Sequence, residues 1–365
     1  MEKKKPGIIA AILALFCVCL LTACTKDGNV VHVTDPADRA STAPLVTVVY
    51  DANALGDGNY NDLIYQGVEQ AAFEHGLRTM QLSPATHEEG LAYLETLFRQ
   101  MSHPQDTVRR LLIVASAGYD SFLRQHNSQL EANPYCDLLY LETTTPLSGK
   151  GSTLYLSYYG AMYEAGAIAP IVSPEVLLVA ANPKLESITE AVNGFVAGFG
   201  SDHIQFPEED DVSLQIVTKY LSDDVYGGFT VSDTTAMSIM KNQEWQTFSG
   251  LLVSICGGAA TTFHRLIDVM GGCYYMGIDA AGIGVNSPYS AVKHVDRAVA
   301  RCIARWLTPE GMPKHQVLGL ADGYTEVVVH PSHSFHREAF KEMLTDDFRA
   351  VIHEEAIRKE AEYER

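Results

Sequence analysis

The sequence lacks the short motifs that mark common catalytic and metal centres. It contains no Gly-x-Ser-x-Gly nucleophile elbow, no Walker phosphate loop, no His-Glu-x-x-His zinc motif and no Cys-x-x-Cys pair. These absences argue against an enzyme that depends on one of these motifs. We predict that the protein is not an enzyme and that it uses neither a cofactor nor a bound metal.

Basic residues are scarce. The chain has 26 lysines and arginines against 45 aspartates and glutamates, which gives a formal charge of −19. Residues 1–23 carry three lysines and one glutamate, so their removal would take the charge to −21. A strongly acidic chain without a basic block is a poor nucleic-acid binder. Anionic lipid headgroups would repel it as well, so attachment to a membrane needs an anchor other than charge.

The N-terminus has the layout of a bacterial export signal. Lys3–Lys5 form a basic start, and the apolar core from Gly7 to about Leu21 is short for a membrane span. The core ends in Leu21-Thr-Ala-Cys24, which resembles a lipobox, the motif in which the cysteine is acylated. We predict a lipoprotein signal peptide at residues 1–23, lipidation of Cys24 and a polar tether at residues 24–44. An ordinary signal peptide with an incidental cysteine is the alternative.

Cysteine is sparse in the remainder of the chain. Only four of the seven cysteines follow Cys24, and most of the four lie in apolar segments. We predict buried free thiols, although an exported chain makes a disulfide the alternative. The four are Cys136, Cys256, Cys273 and Cys302.

From residue 45 onward, short apolar strands alternate with helical patterns. Near-continuous apolar strands are typical of a parallel sheet that is covered on both faces. Two such series follow one another, which predicts an α/β protein of two Rossmann-like lobes. This is the layout of type I periplasmic binding proteins, with a hinge and a ligand cleft between the lobes. The predicted strands are Leu45–Tyr50, Leu77–Leu82, Leu111–Ala115, Asp137–Leu141, Val176–Ala181, Leu214–Thr218, Leu251–Ile255 and Cys273–Ile278.

The predicted crossings between the lobes set the domain boundaries. We expect the chain to cross near Ser157–Tyr159 and to return near Ala281–Val285. Lobe 1 is therefore predicted to comprise residues 45–157 and 283–312, and lobe 2 to comprise residues 158–282 and 313–330.

The C-terminal residues 331–365 have the pattern of charged, amphipathic helices. We predict a helical extension that packs on a lobe or contacts a partner. His330, His333 and His336 lie at its start, with a spacing that could suit a metal. Nothing in the sequence supplies further ligands, so we predict no metal site there.

The loop after the first strand carries polar and aromatic side chains. Asp51 follows the strand, and Tyr60 and Asn61 open the next helical pattern. In an open parallel sheet, such a loop lies outside the carboxyl end of the strand, where ligands bind. A hydrogen-bond acceptor, a flat ring and an amide suit a planar, hydrogen-bonding ligand. The alternative is a plain helix start with Asn59 or Asn61 as the N-cap.

Later loops offer five more candidate ligand residues, each with a structural alternative. A lysine at a helix start is disfavoured by the helix dipole, which favours a functional reason for Lys293. Phe229 could equally be a core residue, with Tyr226 as the reserve ring. Asp120 could simply cap the helix that follows it. The five candidates are Asp120, Phe229, Gly258, Asp279 and Lys293.

These stretches, in this order, resemble the basic membrane protein family of bacterial lipoproteins, which are substrate-binding proteins of nucleoside ABC transporters. The spacing from Asp51 to Tyr60 matches the family's spacing from Asp to Phe. The stretch Ser290-x-x-Lys293-x-x-Asp-x-Ala-Val matches the family pattern, and Gly277-Ile-Asp279 is similar to its Gly-Val-Asp. The sequence departs from the family where Asn53-Ala54 replaces a Gly-Gly pair.

The resemblance implies a role for each candidate residue. Two rings would clamp a base, polar groups would contact its edge, and a carboxylate and an ammonium would engage the sugar. Tyr60 and Phe229 would be the rings, Asp51 and Asn61 the polar groups, and Asp279 and Lys293 the carboxylate and the ammonium. Asp120 and Gly258 would assist.

The function that the resemblance implies is capture of a nucleoside, a purine nucleoside above all, outside the cytoplasm. The expected partners are this small molecule, an ABC permease and a membrane reached through the lipid anchor, with no nucleic acid. A receptor that senses a sugar or another signal molecule is the first alternative. A nucleoside-processing enzyme is the second.

Overall fold

Two mostly parallel β-sheets organise the chain, and each forms the centre of one lobe. The computed structural model describes residues 30–34, 42–103, 107–204, 213–241, 250–280, 284, 286–330 and 342–364. Within them, helices cover both faces of the sheets, so the predicted two-lobed α/β architecture is confirmed.

Lobe 1 contains a seven-stranded sheet. Its strands are β1 (Val30–Thr34), β2 (Leu45–Tyr50), β3 (Arg78–Ser83), β4 (Arg110–Ala115), β5 (Cys136–Leu141), β6 (Ser152–Leu156) and β12 (His315–Leu318). They lie in the order β1-β3-β2-β4-β5-β6-β12, and only the pairing of β1 with β3 is antiparallel.

The helices of lobe 1 form two layers because successive strand residues point to opposite faces. Val48 packs with helices α1 and α8, whereas its neighbour Val49 packs with α2 and α3. These helices are α1 (Tyr60–His75), α2 (His87–Met101), α3 (Asp120–His126) and α8 (Val295–Trp306).

Lobe 2 contains a six-stranded sheet. Its strands are β7 (Glu175–Ala180), β8 (Gln215–Tyr220), β9 (Leu251–Ile255), β10 (Tyr274–Asp279), β11 (Tyr289–Lys293) and β13 (Thr325–Val329). They lie in the order β13-β11-β10-β9-β7-β8, and only the pairing of β13 with β11 is antiparallel. The helices of this lobe are α4 (Tyr159–Val172), α5 (Glu186–Phe199), α6 (Asp233–Met240), α7 (Gly258–Met270) and α9 (Asp346–Tyr363).

Helices α4 and α5 pack backbone against backbone, as their small residues predict. A Cβ atom added to Gly166 would lie 2.1 Å from the carbonyl oxygen of Phe195. One added to Gly198 would lie 2.0 Å from the carbonyl oxygen of Tyr163. Any larger residue at either position would force the two helices apart.

The chain crosses between the lobes three times, at residues 157–158, at His294 and at residues 319–324. The crossing segments are hydrogen-bonded to one another. Ser157 N donates to Leu318 O at 2.8 Å, and His294 N donates to Tyr324 O at 2.8 Å. The hinge is therefore a bundle of three connected segments.

The strand pairing corrects the predicted boundaries after residue 282. Residues 283–312 were assigned to lobe 1, but β11 pairs with β10 in the sheet of lobe 2. Residues 313–330 were assigned to lobe 2, but β12 pairs with β6 in the sheet of lobe 1. The sequence prediction did not recognise these short strands, so it placed the second crossing near Ala281–Val285 instead of at His294, and the third after residue 312 instead of at residues 319–324.

The two ends of the chain also differ in part from the prediction. Residues 24–44 were expected to be an irregular tether, but Val30–Thr34 adds an antiparallel edge strand to lobe 1. At the other end, the predicted extension forms α9, which packs against α4. The predicted signal peptide, Cys24, His333 and His336 lie outside the described residues.

Candidate ligand-binding cleft between the lobes

A cleft of about 720 Å³ lies between the lobes, where the ends of strands from both sheets meet. Residues of lobe 1, lobe 2 and the hinge all line it. Seven of the eight candidate ligand residues are brought together here: Asp51, Tyr60, Asn61, Phe229, Gly258, Asp279 and Lys293. The sequence therefore located one shared cavity from loops that are far apart in the chain.

Asp120 is the exception, because it does not line the cleft. It lies in the first turn of α3, and its Oδ2 accepts a hydrogen bond from Arg124 Nε at 2.8 Å. Both side chains are partly exposed. Asp120 does not cap the helix as the alternative predicted, because the N-cap position is Tyr119 and has no side-chain cap bond. Its carboxylate lies in the first turn instead, where it complements the helix dipole.

The loop before α1 is organised by two of its own carboxylates. Asp57 Oδ1 accepts from Asn59 N at 2.8 Å, and Asp62 accepts from the backbone nitrogens of Gly56 and Gly58, both at 2.8 Å. These bonds fix a loop in which the glycines adopt positive φ values of 84° and 67°. The loop is consequently preformed at the mouth of the cleft.

Asn61 is partly engaged by this network. Its side-chain nitrogen donates to Asp57 Oδ2 at 2.9 Å. One of the two N–H donors of this amide is therefore engaged, which leaves its oxygen and its second N–H to a ligand. Asp51, which also lines the cleft, accepts from Ala52 N through Oδ1 at 2.7 Å.

Tyr60 is held by a carboxylate that the sequence analysis missed. Its hydroxyl donates to Glu142 Oε1 at 2.6 Å, and burial together with this carboxylate raises the pKa of Tyr60 well above its usual value. Glu142 follows β5 directly and adopts a positive φ of 63°. The rule that selected Asp51 and Asp279, a carboxylate at a strand's carboxyl end, could have found Glu142 too.

Lys293 lies in an aromatic and acidic cage. Its Nζ is 4.6 Å from the ring centroid of Tyr158 and 5.5 Å from that of Tyr60, which are cation–π distances. Burial alone would lower the pKa of this ammonium, but the nearby carboxylates of Glu142 and Asp279 outweigh it and raise the pKa. The lysine therefore remains charged, although it is only 5% exposed.

Asp279 occupies a strained and desolvated position at the end of β10. Its φ is 60°, a left-handed value that aspartate tolerates better than most residues. Burial raises the pKa of its carboxyl to about 6, and Asp57 and Glu142 add to the rise, while Lys293 opposes it. Its backbone nitrogen donates to the Tyr158 hydroxyl at 3.1 Å, which ties the loop to the hinge.

The glycine pair at the start of α7 lies under Phe229. Gly257 has a φ of 51°, and a Cβ atom there would lie 3.1 Å from the Phe229 ring. Phe229 lines the cleft while its other contacts are with the core of lobe 2, so it has both of the roles considered for it. The reserve ring, Tyr226, lines the cleft as well.

The two lobes touch across the cleft mouth. The ring of His87 stacks on Tyr119 and Tyr226, at 5.0 Å between centroids in each case, which joins lobe 1 to the loop after β8. Thr144 Oγ1 donates to Glu186 Oε2 at 2.8 Å between the lobes. These contacts define a conformation in which the lobes are close together. His87 carried no sequence signal, because it begins α2 without following a strand end directly.

The remaining chemistry of the described residues is limited. The four cysteines after Cys24 are buried and form no disulfide bond within the described residues, as predicted. Among the residues that the structure describes, no group of three or more histidine, cysteine, aspartate or glutamate side chains is placed to hold a metal ion. No helix in the same residues is both long enough and apolar enough to span a membrane.

The fold and the cleft define the class of the protein. Two α/β lobes, three crossings and a cavity between strand ends constitute the type I periplasmic-binding-protein fold. No protein-family model matches the sequence. No curated protein matches it either.

Solved structures share this fold at low sequence identity. An ABC transporter solute-binding protein from Aeropyrum pernix K1 has a TM-score of 0.66 and 15% identity, over 88% of this chain and 92% of that one. A transcriptional activator of the comK gene from Bacillus halodurans has a TM-score of 0.62 and 15% identity, over 87% and 97%. GanP, a glucose-galactose binding protein from Geobacillus stearothermophilus, has a TM-score of 0.54 and 15% identity, over 79% and 97%.

Proposed function

We propose that the protein is a lipid-anchored, extracytoplasmic solute-binding protein that captures a nucleoside between its lobes and delivers it to an ABC permease. The observation that carries the proposal is the convergence of seven candidate residues from both lobes on one cleft. The fold that it shares with solute-binding proteins supports the class. The resemblance to the basic membrane protein family supports the ligand.

The cleft supplies the two kinds of contact that a nucleoside requires. Rings at Tyr60 and Phe229 provide apolar area for a base, and stacking on an aromatic ring contributes about 1–3 kcal/mol per base. Asp279 is a partly buried acceptor for sugar hydroxyls, and a hydrogen bond to a charged group is stronger than a neutral one. Glu142 joins this set as a carboxylate of lobe 1 that faces Lys293.

The charge of the cleft selects against anionic ligands. Four carboxylates line it, and Lys293 is the basic residue that faces them. We therefore expect a nucleoside to bind at least tenfold more tightly than its 5′-monophosphate. The negative charge of the phosphate would lie near the carboxylates of the cleft, and this repulsion costs more than about 1.4 kcal/mol. The acidic lining residues are Asp51, Asp57, Glu142 and Asp279.

Calorimetric titration with a panel of nucleosides and their monophosphates tests both the ligand and this preference. Binding of a nucleoside with rejection of its phosphate is the expected result. Binding of the monophosphate with equal affinity would contradict the charge argument. The absence of heat with every nucleoside would reject the nucleoside as ligand and would leave the fold unaffected.

A sugar is the second candidate ligand. The similar structures include a glucose-galactose binding protein and a protein complexed with D-xylulofuranose, at identities of 15% and 12%. Buried carboxylates beside aromatic rings also suit a polyol, because hydroxyl groups donate to the former and C–H faces pack on the latter. Hexoses and pentoses therefore belong in the same titration panel, and a saccharide that alone gives heat would favour this candidate.

The partner is tested separately from the ligand. Several similar structures are transcription regulators rather than transport proteins, which is the observation behind a sensing role. Loss of uptake of the bound ligand in cells that lack this protein would favour the permease. Unchanged uptake with an altered transcriptional response would favour the sensor. Release of free base from a bound nucleoside would instead indicate an enzyme.

The lipid anchor gives a prediction of its own. We expect Cys24→Ser to abolish incorporation of labelled palmitate and to move the protein from the membrane fraction to the soluble fraction. Acyl chains provide about 0.8 kcal/mol per buried CH₂ group, whereas the acidic chain gains nothing from anionic headgroups. Cys302→Ser is the matched control, because that thiol is buried in lobe 1. Unaltered membrane attachment of the Cys24→Ser protein would refute the anchor.

A further inference from the structure

The last turn of α9 inserts a carboxylate into the hinge. Glu360 is only 4% exposed, and each of its oxygens accepts a backbone hydrogen bond. Oε1 accepts from Gly160 N at 3.0 Å, and Oε2 accepts from Leu320 N at 2.9 Å. Gly160 follows the first crossing, and Leu320 lies within the third crossing. One side chain therefore connects the first turn of α4, which begins directly after the first crossing, to the third crossing.

The hinge is built to receive this carboxylate. A Cβ atom at Gly160 would lie 2.9 Å from Oε1 of Glu360, and one at Gly319 would lie 2.4 Å from Oε2. Glycine at both positions leaves the space that the carboxylate fills. The ring of Tyr363, three residues further along α9, stacks on Tyr159 with 4.3 Å between centroids.

A second buried carboxylate holds the first crossing from the other side. Glu190 of α5 accepts from Ser157 Oγ at 2.6 Å and from the backbone nitrogens of Tyr158 and Tyr159 at 2.9 and 3.0 Å. All of these contacts lie within the first crossing and the start of α4. Glu360 differs because its two bonds join the first turn of α4 to the third crossing.

We propose that Glu360 is a positioning residue for ligand capture, through which the C-terminal helix sets the equilibrium between open and closed lobes. Closure of such lobes occurs by changes in backbone angles of the few residues at the crossings. A side chain that bonds both the helix after the first crossing and the third crossing fixes their relative position and opposes those changes. This inference rests on the two-lobed fold and not on the identity of the ligand.

The distance between the lobes tests the proposal without any ligand. Spin labels at Phe73→Cys in lobe 1 and Val269→Cys in lobe 2 would report it by pulsed electron resonance. Both positions are strongly exposed, at 83% and 77%, whereas the four cysteines of the described residues are buried. The processed, full-length chain is used, with and without a change at position 360.

In the Glu360→Gln protein, the population with the longer distance between the two labels, which is the open form, is expected to increase about tenfold. The amide keeps one acceptor, but its NH₂ group then faces a backbone N–H, and the loss of one hydrogen bond from a buried side chain has an effect of about this size. Glu360→Ala should give a larger shift. Glu354→Gln, at an exposed position of the same helix, should give the wild-type distribution.

Thermal unfolding of the same variants separates positioning from simple stabilisation. An unchanged distance distribution in Glu360→Gln, even with a lower melting temperature, would overturn the proposal. An equal shift in Glu354→Gln would overturn it too, since the effect would then not belong to the two hydrogen bonds of Glu360. Should the alanine variant fail to fold, the nearly isosteric glutamine variant still decides the question.

Discussion

Replacement of Lys293 by methionine is expected to lower the free energy of unfolding by about 3–5 kcal/mol at neutral pH. Removing one partner from a buried set of charges leaves the others uncompensated, and losses of this size are typical. Here the remaining charges are Glu142 and Asp279, which lie on different lobes and face the ammonium in the native protein. Methionine retains most of the volume, so the loss reports charge rather than packing.

The direction in which the stability of the Lys293→Met protein changes with pH shows whether the lost charge is the cause of the destabilisation. Without the ammonium, the pKa of Asp279 should rise further in the folded state, while its unfolded value stays ordinary. The folded state then binds more protons than the unfolded state between those values, so stability falls as pH rises. We expect the variant to recover part of its lost stability as the pH is lowered from 7 towards 5.

Chemical denaturation of Lys293→Met across this pH range measures both effects. Lys184→Met is the matched control, because Lys184 is exposed on lobe 2, and a change there should stay within about 0.5 kcal/mol. A Lys293→Met protein as stable as the wild type at pH 7 would mean that the folded protein does not need the ammonium to stabilise the surrounding rings and carboxylates.

Replacement of Asp279 by asparagine is expected to weaken binding of the nucleoside about 10- to 100-fold. Hydrogen bonds to a charged group contribute about 1.5–3 kcal/mol, and every 1.4 kcal/mol is tenfold in affinity. Asparagine is the suitable change because it tolerates the left-handed backbone at this position, where φ is 60°. Alanine would add backbone strain to the loss of the carboxylate.

Asp120→Asn is the control for Asp279→Asn. Both aspartates are candidates from the sequence, but only Asp279 lines the cleft, so the Asp120 change should leave affinity unaltered. The affinity of the wild-type protein should also fall as the pH is lowered through about 6, where Asp279 takes up a proton. Calorimetric titration between pH 5 and pH 8 measures the effects of the substitutions and the pH dependence of affinity. Equal effects of the two substitutions would refute the role of Asp279 as a ligand-binding residue.

Local pattern predicted the strands that carry the cleft because those strands are continuous and apolar. Leu45–Tyr50 and Leu251–Ile255 have the predicted bounds, since turn-forming residues delimit them on both sides. The carboxyl ends of such strands then located Asp51 and Asp279. Pattern failed for Tyr289–Lys293 and His315–Leu318, which are both short. The first pairs with β10 in lobe 2, and the second pairs with β6 in lobe 1.

The internal partners of the cleft residues were beyond the reach of sequence reasoning. That Glu142 holds Tyr60 depends on how loops from separate segments approach one another, and that Asp57 engages Asn61 depends on the exact backbone course of a single loop. Asp120 and Asp279 look alike in sequence, each near the end of an apolar strand, and only the three-dimensional arrangement separates them. The position of Glu360 in the hinge depends on a helix that begins 17 residues after the last strand.

The three crossings have a consequence for how the protein is made. The sheet of lobe 1 lacks its last strand until residue 318 has been synthesised, and that of lobe 2 until residue 329. Neither sheet can form all of its strand pairs until the ribosome has translated most of the message. If the chain is exported unfolded, as the proposed function requires, it gains from this delay, because its native state becomes reachable only when almost the whole polypeptide is available.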